Sequence, residues 1–331
     1  MINKCCFILP YFGKFPNYFP VFLQTCKTNN DFTWLIFTDD DTVYDYPDNV
    51  KVIYISFEDF KDKIQNKFEF KVVINEAHKL CDYKPAYGYI FSEYLKEYEF
   101  WGHCDIDIIF GNLKKFITDS LLNQYDKLFC LGHMELYRNS DEINAVFMNE
   151  YNGRLLYKEA FTSAATLVFD EPFGNGKNGC INDLFIEAGY RIFEEDLSMN
   201  FLIAPANFIR TVYRDNDFIK EKRMNALYIW DNGDIYRLIC GRDKRIYKED
   251  IMYMHFQARK MLIKYNVESD NKFKILGNGF YEIDKIPKRY SEFRHERKTI
   301  FSLRYIKTIC RWKKNGLKRR IKSLRYIILY K

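Results

Sequence analysis

The chain has 331 residues, 47% of them hydrophobic and 29% charged, which is enough apolar material for one large domain with an appendage, or two domains, and excludes a disordered or fibrous polypeptide. No apolar run reaches the roughly 18 residues needed to cross a bilayer, so any membrane contact is expected to be peripheral. The net charge of +6 is unevenly placed: residues 297–331 hold thirteen Lys or Arg and no Asp or Glu, while residues 1–296 carry 38 basic against 45 acidic side chains.

In chain order, residues 4–9 (KCCFIL) read as a buried strand stopped by Pro10, and 17–27 as a helix with Pro20 near its start. Strands are expected at 32–38, which runs into Asp39, Asp40 and Asp41, and at 50–56. A helix is expected over 85–98, leading into a strand at 99–104, then a helix at 112–122 and a strand at 125–131. Alternation at this spacing implies βαβ units and a mostly parallel sheet flanked by helices, an α/β fold. From 135 to 200 the pattern loosens: residues 161–180 end in a Gly/Asn-rich loop, 181–190 has helical spacing, 191–197 reads as a strand and turn, and 246–261 as a strand ending near His255.

A boundary near 265 divides the chain into a body (1–265), a connecting segment (266–298) and a basic helical tail (299–331). In the tail, Leu303, Ile306, Ile309 and Cys310 share a helical face before Gly316, and Leu317, Ile321, Leu324 and Ile328 share one after it. Such helices lie on anionic membrane surfaces, each Lys or Arg contributing about 1 kcal/mol. Docking on the acidic body and nucleic-acid binding are the other two readings of the same charge. Nine Cys without a CxxC pair, and an N-terminal apolar run too short for a secretory signal, point to reduced thiols and a cytoplasmic setting at the inner face of a membrane.

The chemistry concentrates in FWGHCDIDIIFGNL, residues 100–113. Side chains two apart on an extended strand project to one side, so Asp105 and Asp107 are expected to point together. Two adjacent carboxylates repel, and one takes up a proton unless a cation lies between them. A divalent ion that prefers oxygen ligands, Mn²⁺ or Mg²⁺, supplies that cation, and a diphosphate completes its shell.

With that motif, ILPYFGKFPNYFP (8–20), WLIFTDD (34–40), DYKPAYG (82–88), GHMELYRN (132–139) and MHFQARKM (254–261) make residues 1–265 resemble the GT-A glycosyltransferases, and most clearly a largely uncharacterised bacterial group found with capsule and surface polysaccharide genes. The resemblance implies a Rossmann-like sheet, a nucleotide-sugar donor, a glycan or lipid-linked acceptor, and a D-x-D metal site formed by Asp105 and Asp107. It places the loop Pro10, Tyr11, Phe12 against the nucleotide base, at the carboxyl edge where open α/β sheets bind ligands. Thr38, Asp39 and Asp40 are then candidates for hydrogen bonds to base or ribose, or simple turn residues. Lys84, before a Pro-initiated helix, is a candidate phosphate contact.

In glycogenin-like members a late His completes the metal shell and a nearby Lys contacts the diphosphate, which corresponds here to His255 and Lys260. His133 lines the acceptor side or caps a loop. Asp170, Glu171, Asp183, Glu195 and Asp196 are the candidates for a general base, Asp196 foremost. No nucleic-acid partner is expected on this reading. The rival readings are a non-catalytic Rossmann-like binding protein with a nucleic-acid-binding tail, and a nucleotidyltransferase or metal-dependent phosphohydrolase, which also use paired acids.

Overall fold

The computed structural model describes residues 3–297, except 173–178, 203–207, 216, 223 and 258, together with residue 310. The expected basic tail therefore lies outside the described residues apart from Cys310. The described strands, numbered in chain order, form three sheets in a mixed α/β fold. The first contains β1 (Asn3–Tyr11), β2 (Phe32–Thr38), β3 (Val50–Tyr54), β4 (Tyr98–Cys104), β6 (Lys127–Leu131), β7 (Met134–Arg138) and β8 (Ile192–Phe193), in the order β3-β2-β1-β4-β7-β6-β8. All its strands run parallel except β7.

Strand β1 shows why this sheet is central. Cys5, Phe7 and Leu9 pack on one face with Phe19, Phe22 and Cys26, while Cys6 and Ile8 pack on the other with Phe60, Tyr83 and Tyr87. A strand buried on both faces reads as a continuous apolar run, as this one does. The flanking helix Phe19–Lys27 has Pro20 at its start, where the missing N–H costs nothing. Among the described residues no helix is long and apolar enough to cross a membrane.

The second sheet contains β5 (Ile108–Phe110), β9 (Ser198–Phe201), β10 (Arg210–Arg214), β11 (Asp217–Lys220) and β15 (Tyr253–His255), ordered β11-β10-β9-β15-β5. The third contains β12 (Ala226–Asp231), β13 (Asp234–Cys240), β14 (Ile246–Ile251), β16 (Leu262–Lys264), β17 (Lys272–Leu276) and β18 (Gly279–Glu282), ordered β14-β13-β12-β17-β18-β16. The stretch 266–298, expected as a connecting segment, thus supplies two strands of this sheet and the helix Tyr290–Glu296, which packs Phe293 against Leu227, Ile229 and Leu238. The expected strand 246–261 is two strands, β14 and β15, in different sheets.

The expected helix 85–98 is instead a 3₁₀ segment Ala77–Ala86, a short helix Tyr87–Ile90 and a 3₁₀ turn Ser92–Tyr94. Buried side-chain partners decide this local form. Lys79 donates to Asp82 at 2.5 Å and to the carbonyls of Ala160 and Ala165, and Asp82 accepts from the Leu167 and Phe169 amides. The expected helix 112–122 likewise splits into a 3₁₀ turn, Leu113–Lys115, and a helix Asp119–Gln124 capped by Thr118.

Candidate metal centre

The strand order reverses at β1: β2 and β3 lie to one side and β4 to the other. The carboxyl ends of strands at such a switch point form the crevice in which open α/β sheets bind ligands. The chain leaves β4 at Cys104 and enters β5 of the second sheet at Ile108, so Asp105 and Asp107 occupy the crossing turn rather than an extended strand. The two carboxylates still converge, for a different reason. Buried Ile106 anchors the turn in the core, the Asp105 amide donates to the His133 carbonyl at 2.9 Å, and the Asp107 carbonyl accepts from the Phe256 amide at 3.0 Å.

Strand β15 pairs antiparallel with β5 and sets His255 opposite Ile108. Its Nε2 lies 3.2 Å from Asp107 Oδ1 and 3.7 Å from Asp105 Oδ2, and ligand atoms of all three residues fall within 4.8 Å of one another. Its Nδ1 lies 3.1 Å from Asn200 Oδ1, which also accepts from Gln257 Nε2 at 2.6 Å. An oxygen that accepts from both keeps a proton on Nδ1, so Nε2 is the nitrogen turned to the aspartates, able to carry a proton or to ligate an ion there. Burial pulls the imidazole pKa down, but Asp107 and Asp105 more than offset it and leave it raised. The spot therefore favours positive charge, whether proton or metal. Two carboxylate oxygens and one imidazole nitrogen fit a divalent ion that accepts both donor types, Mn²⁺ ahead of Mg²⁺.

Lys84, expected at a phosphate, points instead into the protein. Its ammonium lies 2.7 Å from Asp105 Oδ1, 2.7 Å from the Gly132 carbonyl and 3.4 Å from Asp170 Oδ2. Burial lowers its pKa, yet Asp105 and Asp170 outweigh that and hold it well above the usual range. Asp170 is buried, and its neighbour Glu171 accepts from the Gly132 amide at 3.0 Å. Burial raises the Asp170 carboxyl to about 8, with Lys84 opposing the rise and Glu171 adding to it, and burial raises the Glu171 carboxyl as well. A Cβ at position 132 would sit 2.2 Å from Asp170 Oδ2, so a larger residue there would have to displace that carboxylate. His133 is buried too, with its ring 4.6 Å from that of His255 and Nδ1 2.8 Å from the Tyr253 hydroxyl. Burial, then His255 and Lys84, keep it neutral.

The loop after β1 borders the same crevice. Burial raises the Tyr11 hydroxyl, and nearby Asp107 raises it further. Pro10 is half-buried beside it, and the Phe12 ring is engaged by Phe57 and Phe60. Exposed Asp39 accepts from the Gly13 amide at 2.7 Å. Thr38 and Asp40 are buried and face inward: Thr38 Oγ1 accepts from the Asp40 amide, and the Asp40 carboxylate accepts from Lys14, the Phe15 amide and Thr42. These two brace the loop and present no group to a nucleotide. Lys260 is exposed. Both Asp196 oxygens are committed to backbone amides, of Ser198 at 2.9 Å and Tyr213 at 2.8 Å. The cleft of about 1480 Å³ that Asp196 lines with Asp183, Glu194 and Glu195 does not include Asp105, Asp107 or His255.

Sequence reasoning missed Asn200, Gln257 and Gly132. The first two sit in or beside short strands with no local motif, and only the pairing of β15 with β9, which sets His255 beside Asn200, reveals them.

Residues 7–284 match a family of unknown function, DUF6625. The chain belongs to that family. The family match spans all three sheets and includes every residue of the metal cluster. No curated protein matches. Among solved structures, the crystal structure of an active-site mutant of LgtC is similar at a TM-score of 0.34 and 10% identity, over 59% of this chain and 74% of that one. A likeness at that level decides neither fold nor function.

Proposed function

We propose that this chain is a metal-dependent glycosyltransferase of the GT-A type, moving a sugar from a nucleoside-diphosphate donor to a glycan or lipid-linked acceptor. The observation that carries the reading is the convergence of Asp105, Asp107 and His255 at the carboxyl edge of the sheet, beside the switch point. Asp105 and Asp107 supply anionic oxygens, and His255 supplies Nε2, oriented by Asn200. A divalent ion bound there would act as a Lewis acid toward a departing diphosphate. The loop Pro10–Gly13, braced by Asp40, and the exposed carboxylate of Asp39 border the crevice where the nucleotide would lie. A role in bacterial surface polysaccharide synthesis, at the cytoplasmic face of the membrane and held there by the tail 299–331, completes the proposal.

The test is Mn²⁺-dependent hydrolysis and transfer of nucleotide-sugars by the Asp105→Asn/Asp107→Asn double variant. The reading expects both activities to vanish while the far-ultraviolet circular dichroism of the folded protein is retained, the loss of charge opposite Lys84 lowering the melting temperature. Undiminished turnover overturns it, and salt-dependent nucleic-acid binding without donor turnover would favour the binding-protein alternative.

A further inference from the structure

Lys84 sits in the 3₁₀ segment Ala77–Ala86 with its side chain 11% exposed. An ammonium has three N–H donors and no acceptor. Two of them go to Asp105 Oδ1 and the Gly132 carbonyl, both at 2.7 Å, and Asp170 Oδ2 completes the ion pairing at 3.4 Å. The Gly132–His133 turn also holds Asp105 directly, by accepting its amide at the His133 carbonyl, and is itself fixed by Glu171. Lys84 and Asp105 thus share one rigid footing.

We infer that Lys84 is a positioning residue that sets the metal selectivity of this centre, by holding Asp105 Oδ1 away from the cluster so that only Oδ2 faces His255 and the ion. The inference rests on the reading of Asp105, Asp107 and His255 as a metal centre. A carboxylate free to turn about its Cβ–Cγ bond can offer both oxygens to one ion, an arrangement typical of Ca²⁺ with its six to eight oxygen ligands. A carboxylate with one oxygen tied to an ammonium offers a single oxygen, which suits a smaller six-coordinate ion such as Mn²⁺ or Mg²⁺. Coulomb repulsion alone makes a different prediction. Removing the ammonium would then tighten binding of every divalent ion to a similar degree, because Mn²⁺ and Ca²⁺ carry the same charge. Orientation predicts a loss for Mn²⁺ and a relative gain for Ca²⁺.

The experiment uses the full chain, stripped of metal by a chelator. Mn²⁺ is titrated in and its free form read by electron paramagnetic resonance, and Ca²⁺ is measured by competition. In Lys84→Met, Mn²⁺ affinity is expected to fall about 10–100-fold, the range typical of partners that orient a metal ligand, and the Mn²⁺/Ca²⁺ preference to fall with it. In Lys84→Gln, whose amide still donates to Oδ1, the preference is expected to stay near wild type although the charge is gone. A Lys84→Met protein that binds Mn²⁺ as tightly as wild type or more so, with an unchanged Mn²⁺/Ca²⁺ ratio, overturns the inference. Should Lys84→Met fail to fold, a crystal structure of the Mn²⁺-loaded wild type decides. Single-oxygen ligation by Asp105 with Lys84 still on Oδ1 is expected, and two-oxygen ligation overturns the inference. A wild type that binds no Mn²⁺ overturns the metal reading itself, whereas a wild type that binds it and a Lys84→Met variant that keeps its selectivity overturn only the role of Lys84.

Discussion

Two acidic stretches end strands of the same sheet, Asp39–Asp41 after β2 and Asp105–Asp107 after β4, and the fold uses them in opposite ways. The buried carboxylate of Asp40 is filled with donors: Lys14 at 2.7 Å, the Phe15 amide at 2.9 Å, and the amide and hydroxyl of Thr42 at 3.1 and 2.6 Å. The carboxylates of Asp105 and Asp107 converge on an imidazole nitrogen, with one Asp105 oxygen tied to Lys84. An acid surrounded by N–H groups is a structural brace, whereas two acids converging on an imidazole nitrogen have the donor set of a candidate cation site. The partners distinguish the two, and in both cases the partners come from elsewhere in the chain.

The comparison can be broken at either end. The largest effect is expected at the brace. Asp40→Ala strands several buried donors, and hydrogen bonds to a charged group are worth about 1.5–3 kcal/mol each, so chemical denaturation should show a loss of about 3 kcal/mol. Burial pushes the Asp40 carboxyl up, but Lys14, Thr42 and the Phe15 amide more than offset that and hold it well below the usual range. A lowered carboxyl contributes stability that is present above its unfolded value, near 4, and is lost as pH falls toward the folded one. The wild type should therefore lose this margin on acidification, and Asp40→Ala should have none to lose. Unchanged stability in that variant would mean the loop is held by other contacts.

At the cation site, Asn200→Ala removes the acceptor that assigns the His255 proton to Nδ1. Mn²⁺ affinity should fall about 10–100-fold, or roughly 1.4–2.7 kcal/mol, beside a loss of stability from the donors of His255 and Gln257 left unpaired. Equal Mn²⁺ affinity in the variant would show that the ring needs no such orientation.

The smallest effect lies between the two ends, at Asp170. Its carboxyl is raised to about 8 by burial, so between pH 4 and 8 the folded protein binds more protons there than the unfolded chain does. Stability contributed by this site therefore falls as pH rises through that window. Asp170→Asn should flatten the slope, narrowing the wild-type loss by about 1 kcal/mol between pH 6 and 7. Denaturation curves at several pH values check this, and parallel curves for the two proteins would contradict it.

The first sheet is legible in the sequence because its strands are apolar on both faces and end in polar residues. CCFIL and FTWLIFT are buried along their length, and Asp39 and Asp105 begin at the turns that follow. Of the third sheet only β14 falls within an expected strand, although a further signal was present. LYIWD and DIYRLIC flank Asn232–Gly233, both at positive φ (48° and 93°), the dipeptide that favours a two-residue hairpin. At the candidate centre, the D-x-D spacing and the late His pointed to Asp105, Asp107 and His255, the three side chains that the fold brings within 4.8 Å of one another. The inward turn of Lys84 and the bracing role of Asp40 were not legible, because burial and partner atoms separated by tens of residues in sequence decide them. Asp196 shows the same limit: an acid after an apolar stretch read as a base, and two backbone amides hold it in place.

The most direct measurement of the central claim is an anomalous difference map from crystals of this protein soaked with Mn²⁺ and a nucleoside diphosphate. A single strong peak bounded by Asp105, Asp107 and Nε2 of His255, with the diphosphate against it, is the expected result. A peak at another site, or none beside these three residues while the nucleotide is bound, would contradict the account.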